Sequence, residues 1–209
     1  MNDIQGSYNT AAADYHAILK DYHRADPFET GALDYFAASV GDGPVGDLGC
    51  GTGRITSYLA GRGLDVFGID LTPGMIEVAR REYPRLRFEV GSLFDLDLKD
   101  GELAGALAWY SLVHTPREQL PAAFAELFRV LRPGGVLVHG FKVGDGSRPL
   151  TQAYGHDVDL QVYMYAADEV AGLLADAGFE AVATVTRAAL PAEKDAGQAA
   201  HIVRKPATP

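Results

Sequence analysis

Val45-Gly46-Asp47-Leu48-Gly49-Cys50-Gly51-Thr52-Gly53-Arg54 is the stretch that decides the fold. Val45 and Leu48 bracket an acidic residue, glycine recurs at 49, 51 and 53, and an amphipathic run begins at Arg54. The order is strand, glycine loop, helix. Glycine at alternate positions lets bare backbone approach a ligand, because no Cβ intervenes and positive φ costs little. The helix that follows aims free N–H groups and the positive end of its dipole at the same place. Together these features predict a site for a nucleotide-like cofactor.

Working outward from that loop, strand and helix alternate. A helix over Arg54 to Arg62 leads to a strand over Asp65 to Asp70, and Thr72-Pro73 opens a helix running to about Tyr83, where Pro84 stops it. A strand over Leu86 to Val90 enters the polar loop from Gly91 to Asp95, and Leu103 to Tyr110 reads as a strand buried on both faces. Thr115-Pro116-Arg117-Glu118 has the spacing of a capping box, and Phe124, Leu127, Phe128 and Leu131 form an apolar stripe behind it. Arg132-Pro133-Gly134-Gly135 turns into a strand over Val136 to Val143. Residues 144–166 read as a long loop, a length that points to function. A helix over Asp168 to Ala177 and strands over Glu180 to Arg187 and Ala199 to Arg204 follow, and the short link makes the last pair antiparallel.

Before the first strand, Tyr8, Ala11, Tyr15, Ile18, Leu19 and Tyr22 recur at helical steps, and a shorter helix over Phe28 to Ala38 carries Leu33 and Phe36. The expected organisation is one domain: a helical lid over 1–44, a cofactor-binding core over 45–143, a substrate loop over 144–166, and a helix with a strand pair over 167–209. Repeated strand-helix units predict an α/β fold whose parallel sheet is covered by helices on both faces. Ligands of such sheets bind beyond the carboxyl ends of the strands, where every glycine or polar loop named above lies.

Composition narrows the partners. The chain has 209 residues, 47% hydrophobic and 22% charged, with a net charge of −10. That balance argues against a nucleic-acid substrate, so small, neutral or basic partners fit better. Cys50 is the single cysteine, which excludes an internal disulfide and points to a reducing cytoplasm. The residues Met1 to Gly6 carry no basic region with an apolar core, and no run has bilayer-spanning length; a cytoplasmic monomer or homodimer with no membrane partner is expected. His16, His23, His139 and His201 are scattered, and no cluster has metal-ligand spacing.

Spacing selects among cofactors. The dinucleotide fingerprint G-x-G-x-x-G needs a third glycine at 54, where this chain has Arg54. No Gly-Lys-Ser/Thr follows, which excludes a P-loop. Asp70, closing the second strand seventeen residues beyond Gly53, can accept from both ribose hydroxyls of an adenosine. It also suits the start of the Thr72-Pro73 helix.

With Asp47 to Gly53, Gly68-Ile69-Asp70-Leu71-Thr72-Pro73-Gly74-Met75 and Leu131-Arg132-Pro133-Gly134-Gly135, the sequence resembles the class I S-adenosylmethionine-dependent methyltransferases of the small-molecule type. The resemblance implies a Rossmann-like, doubly wound sheet of seven strands, mostly parallel with an antiparallel last strand. It implies that the loop of Gly49, Cys50, Gly51 and Gly53, continuing to Arg54, passes under the methionine part of the cofactor, with Asp47 orienting it. Asp70 then holds the ribose, Leu71 and Met75 flank the adenine, and Ser92 and Leu93 meet its edge. Trp109 and Ser111 lie near the methyl group, and Tyr8 and Tyr15 close over the carboxylate. His114, just before the capping box, is the candidate general base, or else a histidine that shapes the pocket. Tyr154, His156, Tyr163 and Tyr165 are candidates for the acceptor pocket, or else core aromatics. The expected activity is methyl transfer from S-adenosylmethionine to a small-molecule O, N or C acceptor. The alternatives are a non-catalytic module that binds the same cofactor and a nicotinamide-dependent oxidoreductase.

Overall fold

In the computed structural model, residues 3–22, 26–190 and 196–207 are described; His23 and part of the link before the last strand lie outside them. Nine strands and six α-helices follow in chain order among the described residues: α1 (Ile4–Leu19), α2 (Pro27–Ser39), β1 (Pro44–Leu48), α3 (Arg54–Gly61), β2 (Asp65–Asp70), α4 (Pro73–Glu82), β3 (Arg87–Val90), β4 (Leu103–Trp109), α5 (Leu120–Val130), β5 (Leu131–Val143), β6 (Ser147–Ala153), β7 (His156–Tyr163), α6 (Ala167–Asp176), β8 (Glu180–Arg187) and β9 (Gly197–Arg204).

Seven of these strands form one sheet in the order β3-β2-β1-β4-β5-β9-β8. Pairing is parallel from β3 through β5, and β9 runs antiparallel between β5 and β8. The predicted doubly wound sheet with an antiparallel last strand is therefore the observed one. The side-chain period of two distributes the core over both faces. On β4, Ala106 and Ala108 join the cluster with Leu120, Phe124 and Leu127 of α5, while Leu107 and Trp109 join Phe28, Leu33 and Phe36 of α2 and Leu59 of α3. Every residue of β4 is buried, as its unbroken apolar run requires. Strand order reverses between β1 and β4, so the carboxyl ends of these two strands open a crevice.

Two expectations for the segments after β4 fail. Thr115-Pro116-Arg117-Glu118 does not cap an α-helix: Pro116 leads a single 3-10 turn (Arg117–Gln119), and α5 starts at Leu120 with no side-chain cap. Residues 144–166 are not a loop either. They hold a second, two-stranded sheet in which β6 and β7 pair antiparallel. The tight turn uses Tyr154 (φ 54°) and Gly155 (φ 83°), both left-handed, the conformation that closes a two-residue hairpin with the right twist. Alternation along Val158-Asp159-Leu160-Gln161-Val162 is the strand signal that a reading by loop length passes over.

α1 does not bury the whole stripe read from its sequence. Ala11, Ala12 and His16 are buried, but Ile18 is 60% exposed. The helix packs on α4 and on β7. Asn9 Oδ1 accepts from the Gly74 amide at 2.8 Å, Gln5 Nε2 donates to the Leu71 carbonyl at 2.8 Å, and Ser7 Oγ accepts from the Asp159 amide at 3.0 Å. It spans from the end of β2 to the hairpin.

Asp47, in the middle of the sheet, is buried, and its Oδ2 accepts from Thr56 Oγ1 at 2.7 Å. Burial pushes its carboxyl up to about 7, against the pull of Thr56. The native state thus binds this proton more tightly than the unfolded chain, whose aspartates titrate near about 3.9. The stability from that proton is complete below the unfolded value and is lost as pH rises to about 7. Asp47→Asn is expected to raise Tm relative to the wild type by an amount that grows between pH 4.5 and 7.5, measured by scanning fluorimetry; a difference independent of pH contradicts this.

Candidate functional site

A cleft of about 570 Å³ lies at the carboxyl ends of β1, β2, β4 and β5, roofed by α1 and walled by the β6–β7 hairpin; Tyr8, Gly49, Asp70, Ser111, His114 and Arg148 all line it. Its floor is the glycine loop. Gly49, Gly51 and Gly53 have φ of 85°, 55° and 79°, so all three glycines adopt the left-handed conformation. The Gly49 and Cys50 amides both donate to the Ile69 carbonyl at 2.7 and 3.0 Å, which ties the loop to β2. A Cβ on Gly49 would stand 2.1 Å from Ser111 Cβ, so the loop and the segment after β4 touch through a bare backbone.

Asp70 holds the other side. Its Oδ2 accepts from the Gly51 amide at 2.9 Å and its Oδ1 from the Thr72 amide at 2.8 Å. Burial pushes its carboxyl up, and these two amide bonds pull it back down. The Thr72 side chain also hydrogen-bonds this carboxylate, whose roughly four lone-pair sites exceed these three donors. Beyond it, Leu71, Met75, Ser92 and Leu93 line the wall.

Arg54, at the start of α3, forms a buried ion pair with Glu29 of α2. The side chain at the position of a dinucleotide fingerprint's third glycine is thereby directed to α2. Ser111 Oγ is buried in the cleft wall with no hydrogen-bond partner, while the Trp109 indole N–H faces the Glu29 carboxylate. Buried polar groups are normally paired, so Ser111 Oγ is an orphan that a ligand would satisfy.

His114 has partners on both ring nitrogens. Nδ1 lies 2.7 Å from the Gln161 carbonyl of β7 and Nε2 lies 2.8 Å from the Tyr8 hydroxyl of α1. A carbonyl only accepts, so Nδ1 carries the proton of the neutral ring and Nε2 accepts from Tyr8. Burial lowers the His114 pKa, opposed by the Gln161 carbonyl. Tyr8 is pushed well above the ordinary tyrosine range by burial and by neighbouring Tyr154, Tyr15 and Asp70, so it stays a donor. Tyr15 lies 3.7 Å from where a Cβ on Gly51 would stand and packs edge-on against Tyr154, ring centroids 4.8 Å apart.

Other residues singled out from the sequence sit elsewhere. Asp47 lies beneath the loop on Thr56, Cys50 packs with Ile76, Ala79 and Phe88, and Gly53 backs against the Phe88 ring. Tyr165 is fully buried and donates to the Thr115 carbonyl, while Tyr163 packs against the same core cluster. His156 hydrogen-bonds Asp14 of α1 at 2.8 Å and fastens the hairpin to the roof. Among the four acceptor-pocket candidates, the cleft takes only Tyr154. Arg148, Leu150 and Val162 line it from the hairpin; the sequence reading missed them because it took this segment as a loop. Among the described residues no group of His, Cys, Asp or Glu is placed to hold a metal, and no helix is long and apolar enough to cross a membrane.

Residues 45–135 match the methyltransferase domain family. An O-methyltransferase of Penicillium expansum is 34% identical over 144 residues, 65% of this chain and 51% of that protein. A malonyl-acyl-carrier-protein O-methyltransferase of Serratia marcescens is 40% identical over 92 residues, 44% of this chain and 35% of that protein. The chain thus spans about half or less of the length of these relatives. Among solved structures, the 1,6-didemethyltoxoflavin-N1-methyltransferase of Burkholderia thailandensis, with 1,6-didemethyltoxoflavin and S-adenosylhomocysteine bound, superposes with a TM-score of 0.64 at 25% identity, covering 94% of this chain and 91% of that one.

The glycine loop is testable through its packing. Gly134 is also left-handed (φ 79°) but has open space where a Cβ would go. Gly134→Ala is expected to cost about 1–2 kcal/mol, the backbone strain alone. Gly49→Ala adds the clash with Ser111 and is expected to cost about 2–5 kcal/mol, measured by urea denaturation. Equal losses contradict the close approach.

Proposed function

We propose that this chain, which is similar to the class I S-adenosylmethionine-dependent methyltransferases, transfers a methyl group from S-adenosylmethionine to a small-molecule acceptor at O, N or C. The observation that carries this reading is Asp70, which closes the glycine loop with its amide bonds and keeps acceptor capacity toward the cleft. The donor set fits an adenosine with an amino-acid tail. Asp70 would receive the ribose hydroxyls, Leu71 and Met75 would sandwich the base, and Ser92 and Leu93 would meet its edge. The orphaned Ser111 Oγ, with Trp109, the glycine loop and Tyr15, would meet the tail.

When bound, that cofactor supplies an electrophilic methyl group on a sulfonium that departs as a neutral thioether. The protein's main work is alignment, worth up to about 7–11 kcal/mol of a barrier. α1 and the hairpin cover part of the cleft, and Glu29 fixes Arg54 at its edge. His114 provides the base. Its proton sits on Nδ1, held by Gln161, and Nε2 accepts from the Tyr8 hydroxyl; as the acceptor gives its proton to the Tyr8 oxygen, the Tyr8 proton passes to Nε2. A non-catalytic module would have no use for this arrangement. The single cysteine, Cys50, is buried and needs no partner in a reducing cytoplasm.

Isothermal titration with S-adenosylhomocysteine tests the reading, with NADH as the competing candidate. One site for the former and none for the latter is expected; the reverse contradicts it. For any acceptor that turns over, kcat/KM should fall on the acid side with an apparent pKa below the ordinary histidine value of about 6.5, since the base works deprotonated and burial lowers its pKa. His114→Gln should lower kcat/KM by about 10²–10⁴ and abolish that limb. An unchanged profile removes His114 from the chemistry.

A further inference from the structure

We propose that the methyl acceptor carries a carboxylate, distinct from the atom that is methylated, and that Arg148 of the hairpin receives it. The inference rests on the methyltransferase reading above and names its substrate class.

Arg148 and Leu150 alternate on β6 and both line the cleft, as does Val162, which pairs with Arg148 in the hairpin register. Arg148 therefore projects into the cleft from a wall whose other cleft-facing residues are apolar. Its Nε is buried with no hydrogen-bond partner, and among the described residues no carboxylate lies within ion-pair distance of its guanidinium. The other charged groups of the cleft differ. Arg54 is paired with Glu29, and Asp70 receives two backbone amides. Lys142, at the end of β5, is the third cation of the lining and lies over the Tyr110 ring, 5.9 Å from its centroid.

A buried guanidinium N–H without an acceptor is costly, and a planar carboxylate engaging Nε and a terminal nitrogen side-on is the partner that its fork geometry matches. The location assigns that partner to the acceptor rather than to the cofactor. Val162, opposite Arg148, directly follows Gln161, whose carbonyl holds His114. Arg148 is therefore on the same wall as the base. An anion paired to a guanidinium is a poorer nucleophile, so the carboxylate is a handle and the methylated atom is another. This local charge opposes the chain's net charge of −10, and retention of an acidic molecule depends on the cations lining the cleft.

The test uses protein saturated with S-adenosylhomocysteine and titrated with acetate, butyrate, phenylacetate and indole-3-acetate, each against its primary amide. At least one acid is expected to bind about tenfold or more tighter than its amide. In Arg148→Met that preference should vanish while affinity for S-adenosylhomocysteine stays within about twofold, and Arg148→Lys should keep part of it. Acids that bind no tighter than their amides overturn the proposal. So does a loss of S-adenosylhomocysteine affinity in Arg148→Met, which would make the cofactor's own carboxylate the counter-ion. Wild-type protein that binds no S-adenosylhomocysteine at all removes the methyltransferase reading itself, a failure visible before any acid is added. Tm of both variants separates these results from misfolding.

Discussion

The carboxylate of Asp70 is the constraint on which the site depends. It ends β2, and its two oxygens fix the amides of Gly51 and Thr72. One bond sets the path of the glycine loop after β1, and the other sets the entry into α4. The Ile69 carbonyl, one residue earlier, takes the amides of Gly49 and Cys50. The end of a single strand thus organises the loop beside it and the helix after it. The three left-handed glycines follow from that tethering, since the loop must turn within five residues while keeping its backbone against Ser111 and Phe88.

Around this fixed floor the rest of the cleft is built from elements distant in the chain. α1 reaches the glycine loop through His16, whose Nδ1 lies 3.0 Å from Thr52 Oγ1, and it reaches the hairpin through Ser7 and Asp14. The hairpin is in turn held to the segment after β4, where the Tyr163 amide donates to the Val113 carbonyl at 2.8 Å. The cleft is therefore enclosed by a continuous set of bonds running from roof to wall to floor. His114 lies where α1 and the hairpin meet, bonded to one of each. A shift of either element would change the partners of its two nitrogens and with them its capacity to take a proton.

The sheet, its helices and the glycine loop were legible because their signals are local. Buried strands read as apolar runs, Gly49, Gly51 and Gly53 punctuate one turn, and Asp70 closes a strand at a fixed distance from them. Arg54, in place of a third glycine, steered the reading away from a dinucleotide. The roof and hairpin wall of the cleft were less legible. The hairpin was hidden because its turn uses a left-handed Tyr154 beside Gly155 rather than a familiar Asn-Gly pair. With the hairpin unread, Arg148 was one cation among 18 lysines and arginines, and His156 and Tyr165 looked as eligible for the cleft as Tyr154. The partners of His114 lie 106 and 47 residues away, and no spacing rule connects positions so far apart. Thr115 shows the opposite error, a local pattern that matched a capping box while α5 began five residues later.

The most direct measurement is the affinity of Asp70→Asn for S-adenosylhomocysteine, by calorimetric titration beside the wild type. An asparagine keeps the shape but replaces one accepting oxygen by a donor, so it cannot receive the Gly51 and Thr72 amides together with two ribose hydroxyls. The predicted result is a Kd raised by about a hundredfold or more, as loss of hydrogen bonds to a charged group implies, together with a lower Tm from the loosened loop. An unchanged Kd would contradict the assignment of Asp70 as the group that shapes the loop and holds the cofactor.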